Sequence, residues 1–232
     1  MVNSQFQNRS QFGITSKSIT FEGFKQLYFM RFVGVPQFLK RLFSRLIWDY
    51  NTGEKIVYIT FDDGPIPEST PWTLKLLSDK NVKATFFCVG DNVRKYPEIY
   101  QQILKEGHAV GNHTHNHLRG FTNQTQSYVN NVRLASQYIN SELFRPPYGM
   151  IKRSQAKQLL KNYKIVMWDV LSQDYRQDIS PESCYKAVLK NIKPGSIILF
   201  HNHVKSEKNM RYALPRLIDE LRNRGFEFGV CK

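Results

Sequence analysis

Two adjacent aspartates end an apolar segment in the first third of the chain. The stretch "IVYITFDDGP" (residues 56–65) alternates β-branched and aromatic residues and finishes on Asp62 and Asp63, which predicts a buried strand that ends on two carboxylates. Neighbouring side chains of a strand point to opposite faces, so the two carboxylates can aim at different targets. We expect one to bind a metal ion and the other to accept a proton. The pattern alone leaves open which does which.

A histidine-rich stretch, "GNHTHNH" (residues 111–117), provides further metal ligands. On a helical turn His113 and His117 point the same way, as two imidazoles on one ion require, while His115 faces elsewhere. No glutamate follows His113, so this is not the HExxH motif. With one aspartate of the first stretch the two imidazoles form a His, His, carboxylate set that keeps positions open. A solvated histidine-rich turn is the alternative, and it is less favoured beside "TFDDGP".

Strand and helix patterns alternate from residue 55 onward, which predicts parallel pairing with right-handed crossovers. Seven such strands form an open sheet or a barrel, and no GxGxxG follows the first strand to favour a dinucleotide fold. The predicted strands cover residues 56–61, 84–90, 108–114, 143–149, 164–170, 196–202 and 226–230. The predicted helices lie near residues 70–80, 93–106, 125–140, 151–162, 181–191 and 210–224.

Polar side chains follow five of these strands at their carboxyl ends. Parallel sheets and barrels build their sites at that edge. The residues concerned are Asp62 and Asp63, His113 to His117, Arg145 to Gly149, Asp169 with Asp174, and His201 to His203.

The composition limits the fold classes and the kinds of binding partner that we expect for the protein. A chain of 232 residues with 41% hydrophobic content fits one α/β domain. The net charge of +14 favours an anionic cell-wall polymer or membrane surface as partner, with a solvated basic surface as the equal alternative, and no nucleic-acid-binding signature supports nucleic acid. The three cysteines are far apart, which argues against a disulfide framework or a thiolate metal site.

The motifs "TFDDGP", "HTHNH", "RPPYG", "WDVLSQDY" and "ILFHN" occur in this order over roughly residues 55–230 and resemble the polysaccharide deacetylase family. This is the NodB-homology family, or carbohydrate esterase family four. The resemblance implies a distorted seven-stranded parallel β/α barrel. It also implies metal-dependent removal of acetyl groups from N-acetylated sugars of peptidoglycan, a chitin-like polymer or a surface glycan. The implied cofactor is one divalent ion, Zn²⁺ first, with Co²⁺, Ni²⁺ or Mn²⁺ as alternatives.

The resemblance also implies roles for individual residues. Asp62 resembles the general base, Arg145 the partner that holds it, and Tyr148 the residue whose N–H meets the oxyanion. His201 resembles the general acid that Asp174 orients. The implied metal ligands are Asp63, His113 and His117, and the implied substrate-binding residues are Pro147, Tyr148, Tyr175 and Leu199.

Two motifs depart from the family pattern. The fourth commonly reads Asp-x-x-Asp-Trp, but here Leu171 and Tyr175 replace its first and last residues, and Asn202 stands where an aspartate often follows the histidine. Asp169 is a candidate for compensating the missing carboxylate. The altered fourth motif supports one alternative function, a glycan-binding member of the fold that is catalytically weak or inactive, but the changes leave the metal ligands and Asp62 in place, so we expect the chemistry to survive. An oxygen-activating iron enzyme is a second alternative, but its His-x-Asp spacing is absent from the motifs.

We expect three parts in the chain: a polar, loosely ordered extension (residues 1–29), an amphipathic lead-in segment (30–52) and the catalytic domain (53–232). Apolar residues at helical spacing predict a helix over residues 37–48 that packs on its own domain, with a membrane surface as the alternative. No apolar run reaches the ~18 residues of a membrane span, and no secretory signal is evident. Members of the family often act outside the cytoplasm.

Overall fold

The computed structural model of the protein describes residues 33–50 and 53–232. The predicted polar extension therefore lies outside the described residues. No helix in the described ranges is both long enough and apolar enough to cross a membrane. The three cysteines are buried and free.

The described chain alternates strands and helices. The strands are β1 (Ile56–Asp62), β2 (Thr85–Cys88), β3 (Ala109–Asn112), β4 (Leu143–Phe144), β5 (Lys164–Ile165), β6 (Val170–Leu171), β7 (Ile197–His201) and β8 (Glu227–Gly229). The helices are α1 (Gln37–Leu42), α2 (Thr70–Asp79), α3 (Gly90–Lys95), α4 (Pro97–Lys105), α5 (Thr125–Ala135), α6 (Arg153–Leu159), α7 (Pro181–Asn191) and α8 (Glu207–Asn223). Short 3-10 turns follow at Pro147–Gly149 and Val204–Ser206.

All strand pairs are parallel, and the strands run in the order β5-β4-β3-β2-β1-β7-β6 with β8 beside the start of β1. The two edge strands β5 and β6 are consecutive in the chain. The segment from Ile165 to Val170 that joins them spans at most about 18 Å, so the sheet must curl until its edges approach each other. This confirms the predicted distorted β/α barrel.

Two predicted elements are divided in the structure. The predicted strand over residues 164–170 is split into β5 and β6, because its middle crosses from one edge of the sheet to the other. The predicted helix over residues 93–106 is two helices, α3 and α4, which meet at Tyr96 (φ −128°, ψ 58°). Pro97 causes the break, since it disfavours helical geometry in the residue before it.

Side chains of the strands alternate between two apolar layers. Phe86 and Cys88 pack against the helices, whereas Phe87 between them packs inside the barrel with Phe144 and Leu199. This is the period of two expected of a strand buried on both faces. The two layers hold β1, β2 and β7 rigidly, and with them the residues at their carboxyl ends.

Residues 33–50 lie in the opening between the two sheet edges. Leu171 donates its N–H to Val33 O (2.7 Å), and Met167 donates to Ile47 O (2.6 Å), while Ile47 donates to Ile165 O (2.9 Å). The predicted helix over residues 37–48 is therefore wrong in its second half: α1 ends at Leu42, and the chain then extends to pair with the barrel. Backbone pairing with the two edges outcompetes helical continuation here.

A buried ion cluster fastens this segment. Lys40 on α1 is 5% exposed, and its ammonium contacts Asp49 Oδ2 (2.5 Å) and Asp169 Oδ1. The other oxygen of Asp169 accepts a hydrogen bond from Ser196 Oγ (2.6 Å). Because buried carboxylates are costly without a cation, Lys40 is the residue on which the cluster depends.

We predict that Lys40→Met lowers the free energy of unfolding by about 3 kcal/mol, because it leaves two neighbouring carboxylates without their buried cation. The matched control is Lys193→Met, whose half-exposed ammonium lies 3.9 and 3.8 Å from the same carboxylates and is expected to contribute at most about 0.5 kcal/mol. Denaturant titration of both variants measures the difference. Equal stabilities would show that the cluster does not hold the segment.

Candidate metal centre and active site

The carboxyl ends of the strands surround a cleft of about 560 Å³. Register sets the main positions, since Asp62 at the end of β1 is the direct partner of His201 at the end of β7. Eight of the predicted site residues line the cleft: Asp62, Asp63, His113, His117, Tyr148, Tyr175, Leu199 and His201. Arg145 and Asp174 contact the lining residues from behind, and Pro147 is buried outside the lining.

Asp63, His113 and His117 form a group that can hold a metal ion. Their ligand atoms all lie within 4.8 Å of one another. Asp63 Oδ1 is 3.1 Å from His117 Nε2 and 3.7 Å from His113 Nε2. Asp63 Oδ1 and His113 Nε2 are buried and have no hydrogen-bonding partner in the described part of the chain. Since buried polar atoms are rarely left unpaired, a cation fits these residues.

The protonation states also suit a metal. His113 Nδ1–H donates to Arg145 O (2.7 Å), which leaves the Nε2 lone pair facing the centre. Burial lowers the pKa of His113 to about 4, so the ring is neutral at neutral pH. Burial alone raises the pKa of Asp63, but His117, His201 and His113 outweigh it and hold that pKa well below its usual range. The centre therefore offers the neutral imidazole of His113 and an ionised carboxylate.

Backbone strain is concentrated around the centre. Positive φ angles occur at Asp63 (76°), Thr114 (64°), His117 (53°) and Tyr148 (60°). Such conformations cost on the order of 1 kcal/mol or more for residues other than glycine and persist where the surroundings enforce them. The tight turns that aim the ligands therefore need external support.

The first turn of α3 supplies that support. Asn92 donates from Nδ2 to Asp63 O (2.7 Å), and Gly90 donates its N–H to Thr114 O (3.0 Å). Position 90 requires glycine, because a Cβ there would lie 2.8 Å from His115 Nδ1. One turn of helix thus fixes both ligand-bearing loops. Sequence reasoning missed Asn92, and its place in the stretch that follows β2 was the only available signal.

Arg145 occupies the centre of the barrel mouth with no exposed surface. Its Nη1 donates to Asp62 Oδ1 (2.8 Å) and to Thr60 Oγ1 (2.8 Å), and its Nη2 donates to Met167 O (2.7 Å). The guanidinium also lies 3.9 Å from the centroid of the Phe87 ring. One oxygen of Asp62 is therefore fixed by a charge-assisted bond, while Oδ2 faces His113 Nε2 at 3.6 Å.

His201 and Asp174 form a second pair on the opposite side of the cleft. Asp174 accepts from His201 Nδ1 (2.7 Å) and from the His201 backbone N–H (2.9 Å). Burial lowers the pKa of His201, but the contact with Asp174, aided by Asp63 and Asp62, outweighs it and raises the pKa to about 9. The ring is thus protonated at neutral pH and presents Nε2–H toward the cleft.

Aromatic and apolar side chains line the cleft. Tyr175 meets the His201 ring edge-on with centroids 5.2 Å apart, and the Tyr148 ring lies 4.7 Å from that of His117. Trp168, Leu171 and Leu199 also line the cleft. Trp168 was not among the predicted site residues, although it directly precedes Asp169 in the fourth motif.

The departures from the family pattern leave the Arg145–Asp62 and His201–Asp174 pairs intact. Leu171 is buried and presents an apolar side chain to the cleft, and His201 is held by two hydrogen bonds to Asp174. Asp169 does not compensate, because it faces Lys40 and Ser196 at the opposite ends of the strands. Asn202 donates its N–H to Asp62 O (2.8 Å) and so fastens the end of β7 to that of β1.

A barrel with paired carboxylates, two imidazoles and a histidine–aspartate pair at its carboxyl edge is typical of metal-dependent hydrolases. The family model for polysaccharide deacetylase matches residues 49–168. The chain therefore belongs to the polysaccharide deacetylase family, which confirms the resemblance seen in its motifs.

Individual relatives agree with this assignment. The chain is 36% identical over 189 residues to a peptidoglycan-N-acetylglucosamine deacetylase of Bacillus cereus, covering 78% of this chain and 88% of the relative. It is 32% identical over 196 residues to a chitooligosaccharide deacetylase of Sinorhizobium fredii, covering 75% and 89%. A solved peptidoglycan N-acetylglucosamine deacetylase superposes with a TM-score of 0.74 at 32% identity, covering 80% of this chain and 90% of that one.

We predict that Asn92→Ala weakens metal affinity about tenfold, since residues that orient a ligand typically contribute 10- to 100-fold. Calorimetric titration of the metal-free protein with Zn²⁺ measures this directly. Arg94→Ala is the control, because Arg94 lies on the same helix and, within the described part of the chain, forms its ion pair with Asp91 at the surface. If both variants bind Zn²⁺ as the wild type does, α3 does not position Asp63.

Proposed function

We propose that the protein is a metal-dependent N-deacetylase of a glycan, with peptidoglycan as its substrate. The observation that carries the mechanism is that the two adjacent carboxylates have different partners. Asp62 is held by Arg145, whereas Asp63 faces the two imidazoles. One carboxylate is thus free to accept a proton while its neighbour binds the ion. The names of the B. cereus relative and of the solved neighbour support peptidoglycan.

Asp63, His113 and His117 would hold the ion, and we propose Zn²⁺ because two imidazole nitrogens and one carboxylate are a common catalytic zinc set. Co²⁺, Ni²⁺ and Mn²⁺ accept the same donors. When bound, the ion supplies a Lewis acid that polarises the acetyl carbonyl and makes water more acidic.

Asp62 is the proposed general base. Its Oδ1 is occupied by Arg145, and its Oδ2 lies on the side of the metal ligands. Arg145 is a positioning residue that aims this carboxylate and balances its charge. Asp62 takes the proton of the attacking water, which then adds to the acetyl carbon.

His201 is the proposed general acid. Protonated through its contact with Asp174, it donates a proton from Nε2 to the sugar nitrogen as the C–N bond breaks. The Tyr148 N–H stabilises the oxyanion, and its positive φ turns that peptide relative to the flanking chain. Tyr175 and Leu199 flank the acetyl group and the sugar, with Pro147 bracing the turn that carries Tyr148.

We also propose a domain organisation and a location for the protein. Residues 53–232 form the catalytic domain, and the described part of the lead-in segment (30–52) closes its barrel. We place the enzyme at the cell envelope, outside the cytoplasm, in contact with anionic wall material through its net charge of +14.

We predict that Asp62→Asn lowers acetate release from peptidoglycan by about 10³-fold, because a general base contributes roughly 10²–10⁴-fold. Metal content, measured by elemental analysis, stays at the wild-type level because Asp62 is not a proposed ligand. His113→Ala is the contrasting variant and loses both metal and activity. Near-wild-type turnover of Asp62→Asn would remove Asp62 from the role of base. Absence of turnover in metal-loaded wild type on every glycan would favour a binding module instead.

At alkaline pH the activity depends on the protonation of His201. His201 acts in its protonated form, so activity is present below its pKa and falls as pH rises toward about 9. Asp174→Asn removes the main cause of the raised pKa, and the alkaline limb of kcat/KM moves to lower pH by about one unit or more. Asp178→Asn, which alters an exposed pair with Arg176, leaves the limb in place. Coinciding limbs in Asp174→Asn and wild type would contradict the acid assignment.

A further inference from the structure

We propose that the end of the barrel opposite the cleft docks on a membrane surface that contains anionic phospholipid, with Phe38 and Leu42 inserted among the lipids. The inference goes beyond the proposed reaction and does not depend on it. It assigns a binding surface to the face of α1 that the barrel leaves uncovered.

Helix α1 has a buried face and an exposed face. Leu39 and Lys40 are 3% and 5% exposed, and Lys40 joins the buried ion cluster. Phe38, Arg41 and Leu42 occupy the i, i+3 and i+4 positions of the other face. Phe38 and Leu42 are 66% and 45% exposed. Adjacent exposed apolar side chains, unlike single ones, mark a candidate contact surface.

Positive charges surround this apolar pair. Arg41 precedes Leu42 on the helix and Arg45 follows in the next turn, and both are exposed. The ammonium of Lys193 lies 3.9 and 3.8 Å from the carboxylates of the buried ion cluster, which places it beside α1. The bridge between Ile47 and β5 puts Arg45 at the level of the exposed Lys164. The helix therefore presents an apolar centre within a basic border.

The whole end of the barrel that carries α1 is basic. All strand pairs are parallel, so the segments that lead into the strands share this end. Besides Lys164 and Lys193, the exposed charged residues in the segments before β1, β2, β4, β5 and β7 are Lys55, Lys83, Lys161, Glu54 and Glu142. Cations outnumber carboxylates among them, so this end attracts an anionic surface.

The apolar pair distinguishes a lipid surface from a soluble polyanion. A hydrated polyphosphate would neutralise the cations but leave Phe38 and Leu42 in water. The boundary between headgroups and acyl chains accepts both kinds of side chain. Arg41 and Arg45 can reach headgroup phosphates while their aliphatic stems cover apolar surface. A second copy of the chain on this face would instead bring like charges together.

Docking at this end leaves the cleft open. Ser196 immediately precedes β7 and contacts the ion cluster, whereas His201 ends β7 and lines the cleft. About 16 Å of strand separates the two residues. A bilayer that contacts α1 therefore does not cover the proposed active site, which faces away from the lipid.

The test measures cosedimentation of the full chain, without any glycan, with vesicles of phosphatidylglycerol and phosphatidylcholine in equal parts. Vesicles of phosphatidylcholine alone remove the anion. Soluble polyglycerol phosphate keeps the phosphate but removes the acyl chains. The test variant is Phe38→Ser, and its matched control is Val204→Ser, which removes an apolar side chain that is 59% exposed at the cleft end.

A second pair of variants tests the charges. Arg41→Gln with Arg45→Gln removes two cations beside the apolar pair. The control, Lys95→Gln with Lys208→Gln, removes two exposed cations from α3 and α8, which follow β2 and β7 at the cleft end.

We expect wild type to bind the mixed vesicles and to bind phosphatidylcholine vesicles much more weakly. Phe38→Ser weakens binding about tenfold because it removes the inserted ring, and the double arginine variant weakens it by a similar factor. The double arginine variant also loses part of the salt dependence. Both controls bind as wild type does.

Equal binding by Phe38→Ser and wild type, or no binding of wild type to the mixed vesicles, would overturn the inference. Polyglycerol phosphate that binds as tightly as the vesicles would assign the face to a soluble polyanion. A dimer that forms without lipid and is lost in Phe38→Ser would assign it to a second copy. Either result also overturns the inference.

Acetate release from soluble glycan strands separates this inference from the proposed reaction. Phe38→Ser is expected to release acetate at the wild-type rate, because α1 lies away from the cleft. Absence of release in metal-loaded wild type would contradict the proposed function and leave the vesicle result unchanged.

Discussion

The buried positive charge of Arg145 is the constraint around which the barrel mouth is arranged. A guanidinium with no contact to water is tolerated only when an anion and several acceptors surround it. Asp62 supplies the anion, and the carbonyls of Val166 and Met167 accept two of its N–H groups. Arg145 O also accepts from His113. The same residue thus fixes the proposed base, one proposed metal ligand and the segment that joins the two sheet edges.

This arrangement lets two neighbouring carboxylates behave differently. Asp62 remains in the strand and points at a fixed cation, while Asp63 has left the strand with a positive φ and points at the imidazoles. Side chains one residue apart would otherwise diverge by the alternation of the strand alone. The turn after β1, braced by Asn92, redirects Asp63 into the same cleft. The motifs name the residues of the centre, and local strain with support from α3 gives them an orientation that strand geometry alone does not.

The sequence was sufficient to predict the alternation of elements, the family and the clustering of polar residues at one edge. Each rests on a local pattern or on motif order. It could not predict the partner of Asp169, because the pairing with Lys40 joins residues 129 positions apart. The end of α1 could not be predicted from the local sequence either, since the pairing of Ile47 with β5 depends on how the sheet curls. Asn92 was missed because an isolated asparagine carries no spacing signal.

Closure of the barrel by residues 33–50 also has a consequence for the order of folding. This segment precedes the barrel strands in the chain, yet it pairs with Ile165, Met167, Leu171 and Gly195, which are synthesised more than a hundred residues later. Long-range contacts of this kind form only after both partners are available. The barrel therefore stays open at one seam through most of synthesis, and its closure is a late event that brings residues 33–50 into a nearly complete domain.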